Sequence, residues 1–181
     1  PFLFFTDHTA ELGKLVHEGR KKFLSEFPSY GSAGAQDQIP DPNDPATFER
    51  SKLDFSERRK QRGWYALHED LLRLRREDPI FAAQSRESLD GAVIGPQAFV
   101  IRFFGADDDD RLLVVNLGAD HSYVPAPEPL LAPVAGGSWQ LGWSSEDPRY
   151  GGPGLINPLA EDGWRIPGMS AVVFRSRHGQ E

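Results

Sequence analysis

No cysteine occurs in the 181 residues, which removes disulfides, thiolate catalysis and cysteine-ligated zinc at once. No apolar run approaches the roughly 20 residues that a bilayer span needs. The N-terminus also lacks the basic-then-apolar pattern of a signal peptide, so a cytoplasmic location is the expectation. Positive charge is short as well: 20 Lys and Arg stand against 27 Asp and Glu, for a net charge of -7. A surface of that sign repels phosphate backbones and anionic lipid, which argues against nucleic acid and membrane as partners. Missing too are a Gly-rich phosphate loop, a His-Glu-x-x-His zinc helix and a Gly-x-Ser-x-Gly nucleophile elbow. The histidines at 8, 17, 68, 121 and 178 have no ligand spacing, so neither a metal nor an organic cofactor is called for.

What is present suffices for folding. The chain is 39% hydrophobic and 26% charged, a balance suited to a globular protein with a substantial core. Its two halves differ. Residues 1 to 90 hold 14 of the basic residues and residues 91 to 181 hold 6, while acidic residues divide as 16 and 11, and all five lysines precede residue 61. The first half carries helical periodicity, and the second breaks into short β-branched and aromatic runs separated by Gly and Pro. The fold class expected is α+β, with a boundary near residue 90.

Pro1 opens directly into the apolar run Phe2-Leu3-Phe4-Phe5, as if the chain began inside a structural element, and a fragment is expected. That run reads as a strand buried on both faces. A polar turn, Thr6 to Thr9, follows it. Leu12, Leu15, Val16, Phe23, Leu24 and Phe27 then form one helical stripe ending at Pro28, with Thr9 as N-cap. Residues 29 to 48, with Asp41-Pro42 and Asp44-Pro45, read as a long surface loop. A second amphipathic helix is expected over 57 to 76, with Trp64, Leu67, Leu71 and Leu74 on one face. Strands are expected at 98 to 104, 111 to 117, 121 to 124, 138 to 143 and 171 to 176. Asp107 to Asp110 would be the solvated tip of the first hairpin, since consecutive aspartates lack the staggered spacing of a calcium loop.

Local chemistry is sparse. Asp7 and His8 follow the expected strand, the position that faces the active site in a (β/α)8 barrel, although both side chains could equally cap the next helix or pair with each other. Phe4 and Phe5 could stack on a sugar face or fill core. Trp139, Trp143 and Trp164 could form a pyranose platform, with core packing favoured. Trp139 and Trp143 share a face in an uninterrupted strand, and Gly142 leaves room for a bulge between them.

The segments PFLFFTDH, LVHEGRKKFLSEFPS, IPDPNDPATFERSKLDF and LLRLRREDP, continued by LLVVNLG and SAVVF, resemble the C-terminal part of the malto-oligosyltrehalose trehalohydrolase family of α-amylase-like glycoside hydrolases. DPATFERSKLDF is the most specific of them. The resemblance implies that residues 1 to 90 are the last strand, loop and outer helices of a (β/α)8 catalytic barrel. Residues 91 to 181 would be an all-β antiparallel sandwich domain. It also implies a parent enzyme that hydrolyses the α-1,4-glucosidic bond adjoining terminal trehalose in maltooligosyltrehalose. The strands that carry the family's catalytic carboxylates are not found here, so no catalytic residue is assigned and the chain is expected to be inactive alone. Phe4, Phe5, Asp7 and His8 are the candidate substrate-binding residues, and maltooligosaccharide is the expected partner through the parent. Exposed helix stripes should dock on the β domain, self-associate or move freely. The alternative is a non-catalytic carbohydrate-binding or scaffold β module with a helical extension.

Overall fold

The computed structural model describes residues 2–126, 128–160 and 163–178. The chain divides into two compact units, Pro1–Ser56 and Glu57–Glu181. No helix among the described residues is long and apolar enough to cross a membrane.

The first unit contains α1 (Ala10–Leu24), α2 (Ala33–Gln36) and α3 (Pro45–Glu49). Glu11 lies in the first turn of α1 and Lys21 and Lys22 in its last, matching the helix dipole. Thr9 occupies the N-cap position, but its side chain makes no capping bond. The expected buried strand is not formed. Residues 2 to 9 have no regular structure, and Phe2 is 92% exposed. A strand needs a neighbour to satisfy its backbone, and among the described residues this unit contains none. The segment instead bonds to the loop opposite: Thr6 N–H donates to Pro42 O at 2.8 Å and Leu3 N–H to Ser51 Oγ at 3.2 Å. That loop is not wholly a surface feature either. Ile39, Pro42 and Thr47 are buried, and the Thr47 hydroxyl donates to Asp41 O at 2.6 Å. Asp44 caps α3 by accepting from Ala46 N–H.

The second unit begins with α4 (Glu57–Lys60), α5 (Arg62–Glu77) and α6 (Pro79–Ala82). The single helix expected over 57 to 76 is interrupted at Gln61, whose φ of -113° and ψ of 47° leave the helical region. The inward face also differs. Trp64 is 64% exposed and Leu71 is exposed, whereas Gly63, Ala66, Leu67, Asp70 and Leu74 turn inward at helical spacing.

Eight strands follow among the described residues. Strands β1 (Leu89–Gly95), β2 (Ala98–Phe103), β3 (Arg111–Asn116), β5 (Gly137–Ser144) and β8 (Ser170–His178) form an antiparallel sheet in the order β1-β2-β3-β8-β5. Strands β4 (His121–Tyr123), β6 (Leu159–Ala160) and β7 (Gly163–Ile166) form a second sheet in the order β4-β7-β6. The α+β class and the sandwich-like pair of sheets match expectation.

The core lies between the two sheets. Val100, Leu112, Val114, Val172 and Phe174 meet Trp164 and Ile166, with Leu131 and Trp139 completing the cluster. Register explains the choice. Val100 pairs with Val114 and Val114 with Val172, while Leu112 pairs with Phe174 and Phe174 with Leu141, so alternate residues line one face. At Gly163, φ is +156° and an added Cβ would run into Tyr123 O, which excludes any side chain there. Buried Asn116 ties the end of β3 to β7: its Nδ2 donates to Ala119 O at 2.7 Å and to Pro167 O at 3.1 Å.

The outer face of the five-stranded sheet carries the helices. Phe81 meets Phe103 edge to face at 4.9 Å, and Gly63 lies so close to Tyr150 that a Cβ would come within 2.7 Å of its carbonyl oxygen. Between Leu141 and Trp143 the β5–β8 register shifts by one residue. The bulge that Gly142 permits therefore turns Trp143 to the face opposite Trp139.

Candidate functional site

The residues expected to touch substrate occupy the irregular segment before α1. Phe4 is 46% exposed and lies 4.2 Å beneath the Arg20 guanidinium, beside a cavity of about 540 Å³ lined also by Leu24, Tyr30, Ile39 and Arg50. Phe5 turns to a different partner, meeting Phe48 edge to face at 5.0 Å. The two rings thus do not act as one stacking surface. Asp7 is exposed and His8 half-buried.

The His8 backbone is held on both sides by one side chain, Asn43. His8 N–H donates to Asn43 Oδ1 at 2.8 Å, and Asn43 Nδ2 donates to His8 O at 3.0 Å. The Thr6 hydroxyl also donates to Asn43 Oδ1 at 3.3 Å, and Asn43 N–H donates to Asp41 Oδ1 at 2.9 Å. In sequence, Asp41-Pro42 and Asp44-Pro45 read as turns and assign nothing to Asn43 between them. Its signal was an amide between two Asp-Pro pairs, a place where a side chain competes for backbone groups.

Titratable groups in the second unit are bound up with arginines. Arg111 Nε donates to Asp78 Oδ2 at 2.7 Å and its Nη1 to Asp109 Oδ1 at 2.6 Å. Arg102 Nε donates to Asp110 Oδ2 at 2.8 Å. The aspartate run is therefore not a wholly solvated tip: Asp107 and Asp108 are exposed with positive φ, but Asp109 is half-buried and Asp110 buried. Two arginines on neighbouring strands supply the compensating charge. Asp70 accepts from Tyr150 Oη at 2.5 Å and pairs with Arg73 and Arg149 at 2.7 and 2.9 Å. Burial and the Asp70 carboxylate both push the Tyr150 pKa up. Among the described residues no group of three or more His, Cys, Asp or Glu could hold a metal ion.

The hydrogen bonds from Arg111 hold the Asp109 carboxyl below its ordinary value of 3.8. A depressed folded-state pKa stabilises the fold above the unfolded value, and the contribution is lost as pH falls through the folded value. Urea midpoints followed from pH 5 downward through the carboxylate range should therefore fall less steeply in Asp109→Asn than in the unmodified chain. Parallel curves would remove Asp109 from the acid response.

The tryptophan platform is not formed. Trp139 is 5% exposed and donates through Nε1 to Leu131 O at 2.9 Å; Trp164 is 3% exposed against Phe174; half-buried Trp143 donates to Tyr150 Oη. These indoles brace the fold.

The architecture is that of an antiparallel β domain with a helical arm on its outer face. The family model described as "Domain of unknown function (DUF3459)" matches residues 86–173. The chain is similar in sequence to curated malto-oligosyltrehalose trehalohydrolases. It is 44% identical over 124 residues to the one from Deinococcus radiodurans, covering 66% of this chain and 19% of that protein. It is 43% identical over 95 residues to the one from Arthrobacter ramosus, covering 51% and 16%. Identity to the one from Mycobacterium tuberculosis is 33% over 128 residues, covering 69% and 20%. The matched part thus spans about a fifth of these curated relatives, consistent with a C-terminal portion.

Proposed function

We propose that the chain is the C-terminal portion of a glycoside hydrolase that cleaves the α-1,4-glucosidic bond next to terminal trehalose in maltooligosyltrehalose. The observation that carries this reading is the 44% identity over 124 residues to a trehalohydrolase. In it, residues 1 to 90 are the end of the catalytic (β/α)8 barrel and residues 91 to 181 the C-terminal β domain. In this reading α5 and α6, which pack on the outer face of the sheet, would be the barrel helices that meet the domain that follows.

A retaining glycosidase needs a nucleophilic carboxylate and an acid/base carboxyl about 5 to 5.5 Å apart across the sugar. Asp70, Asp78 and Asp110 each accept from an arginine and are committed to structure. In the family that the sequence resembles, these carboxylates lie on strands not found in this chain, so the reading assigns the chemistry outside these 181 residues and gives this chain the roles of support and of the cleft rim of Phe4, Phe5, Asp7 and His8.

The test compares trehalose release from maltooligosyltrehalose by the full-length polypeptide containing this chain and by the 181-residue chain alone. The first should be active and the second inactive. Cleavage by the purified short chain, or no trehalose from the long one, would overturn the reading.

A further inference from the structure

We propose that Asn43 is a positioning residue for substrate binding, an amide that takes the place of a neighbouring strand and fixes the Thr6 to His8 rim. The proposal rests on the function given above and adds a residue, and a means of holding the rim, to it.

A primary amide carries the donor and acceptor of a peptide group. Asn43 presents both to one residue, accepting from His8 N–H at 2.8 Å and donating to His8 O at 3.0 Å. This is the reciprocal exchange that a paired strand residue would make. Only one orientation of the amide satisfies both bonds, so its oxygen and nitrogen are assigned without ambiguity. Thr6 N–H continues the ladder to Pro42 O at 2.8 Å. The segment is thus held in extended pairing by a loop 35 residues away in sequence.

Asn43 is itself locked. Its own N–H is taken by Asp41 Oδ1, and its side chain lies against Gly13 in α1, where an added Cβ would fall 2.9 Å from both Cγ and Nδ2. Gly13 is the one buried residue of that helix. An amide with three hydrogen-bonded partners cannot step aside cheaply, so the glycine is required for the clamp. A Gly to Ala change inside a helix ordinarily stabilises it. At Gly13 the expected sign is reversed.

Two experiments test the assignment. In the 181-residue chain, Asn43→Ala should speed exchange of the His8 amide by roughly tenfold, the loss expected for one such bond. In the full-length polypeptide, Asn43→Ala and Gly13→Ala should each raise KM for maltooligosyltrehalose roughly tenfold with kcat within about twofold, the pattern of lost substrate binding. Asn43→Asp keeps the acceptor and loses the donor, so its KM should fall between; it also serves if the alanine variant fails to fold. A lowered Tm with unchanged KM in these variants would make Asn43 merely structural and overturn the proposal while leaving the function standing. Unchanged His8 exchange would overturn it too. Absence of trehalose release by the unmodified full-length polypeptide would instead defeat the function on which it rests.

Discussion

Replacing Asp110 by alanine is expected to destabilise the Glu57–Glu181 unit by about 3 to 5 kcal/mol, the cost of removing one partner from a buried ion pair. Its carboxylate sits between two obligations. Oδ2 accepts from the buried Arg102 guanidinium, with Nη2 at 2.7 Å, and Oδ1 accepts from Gly105 N–H at 2.9 Å. Truncation strands a positive charge between the rings of Trp139 and Phe104, with only the neutral carbonyls of Ala132 and Leu130 left to accept from it. The charge is the costly remainder, so Arg102→Met combined with Asp110→Ala should lose much less than the sum of the single changes. All four tryptophans lie in this unit, so urea unfolding followed by their fluorescence measures it. A loss under about 1 kcal/mol for Asp110→Ala would mean that the pair behaves as an exposed one.

Phe174→Ala is expected to cost a similar amount, about 3 to 5 kcal/mol, by a different mechanism. Phe174 is fully buried on the interior strand β8, and its ring meets Trp164 of the opposite sheet edge to face at 5.2 Å. Removing it opens a cavity where the sheets join, and Leu112 and Leu141 on the flanking strands cannot fill it without leaving register. Phe174→Leu, which keeps most of the volume, should lose clearly less in the same measurement. Equal losses for both, at the roughly 0.5 to 1.5 kcal/mol of an aromatic pair, would point to that contact and away from cavity formation.

Much of the β region was legible in sequence because its strands are half-buried and alternate. Ala98 to Phe103 and Arg111 to Asn116 fall within two residues of expectation at each end, and Gly142 correctly marked the site of a bulge. Strands β1, β6 and β7 do not stand out in the sequence, β6 because it has only two residues and the others for local reasons. Strand β1 opens on Leu89-Asp90-Gly91, which carries poor strand formers, and β7 has only four residues, too few to show a period. Helices α2 and α3 were hidden by shortness inside a Pro- and Gly-rich stretch.

The site was legible only in name. Phe4, Phe5, Asp7 and His8 were picked out by their place after an apolar run and by resemblance, but nothing local indicated that Phe4 would face Arg20 while Phe5 faced Phe48. The Asp107 to Asp110 run shows the limit most plainly. Read alone, four like charges should repel into water. In the fold, Asp109 and Asp110 meet arginines that the strand register brings beside them.

Sequence by itself determined the classes of element, the absence of cysteine chemistry and the kinship with trehalohydrolases, because composition, periodicity and matching residues are properties of the linear chain. Tertiary structure alone decided which charges are neutralised, which tryptophans are buried and that Asn43 holds His8. Each of these depends on groups far apart in sequence meeting within hydrogen-bonding or van der Waals distance, and only the folded backbone sets those distances.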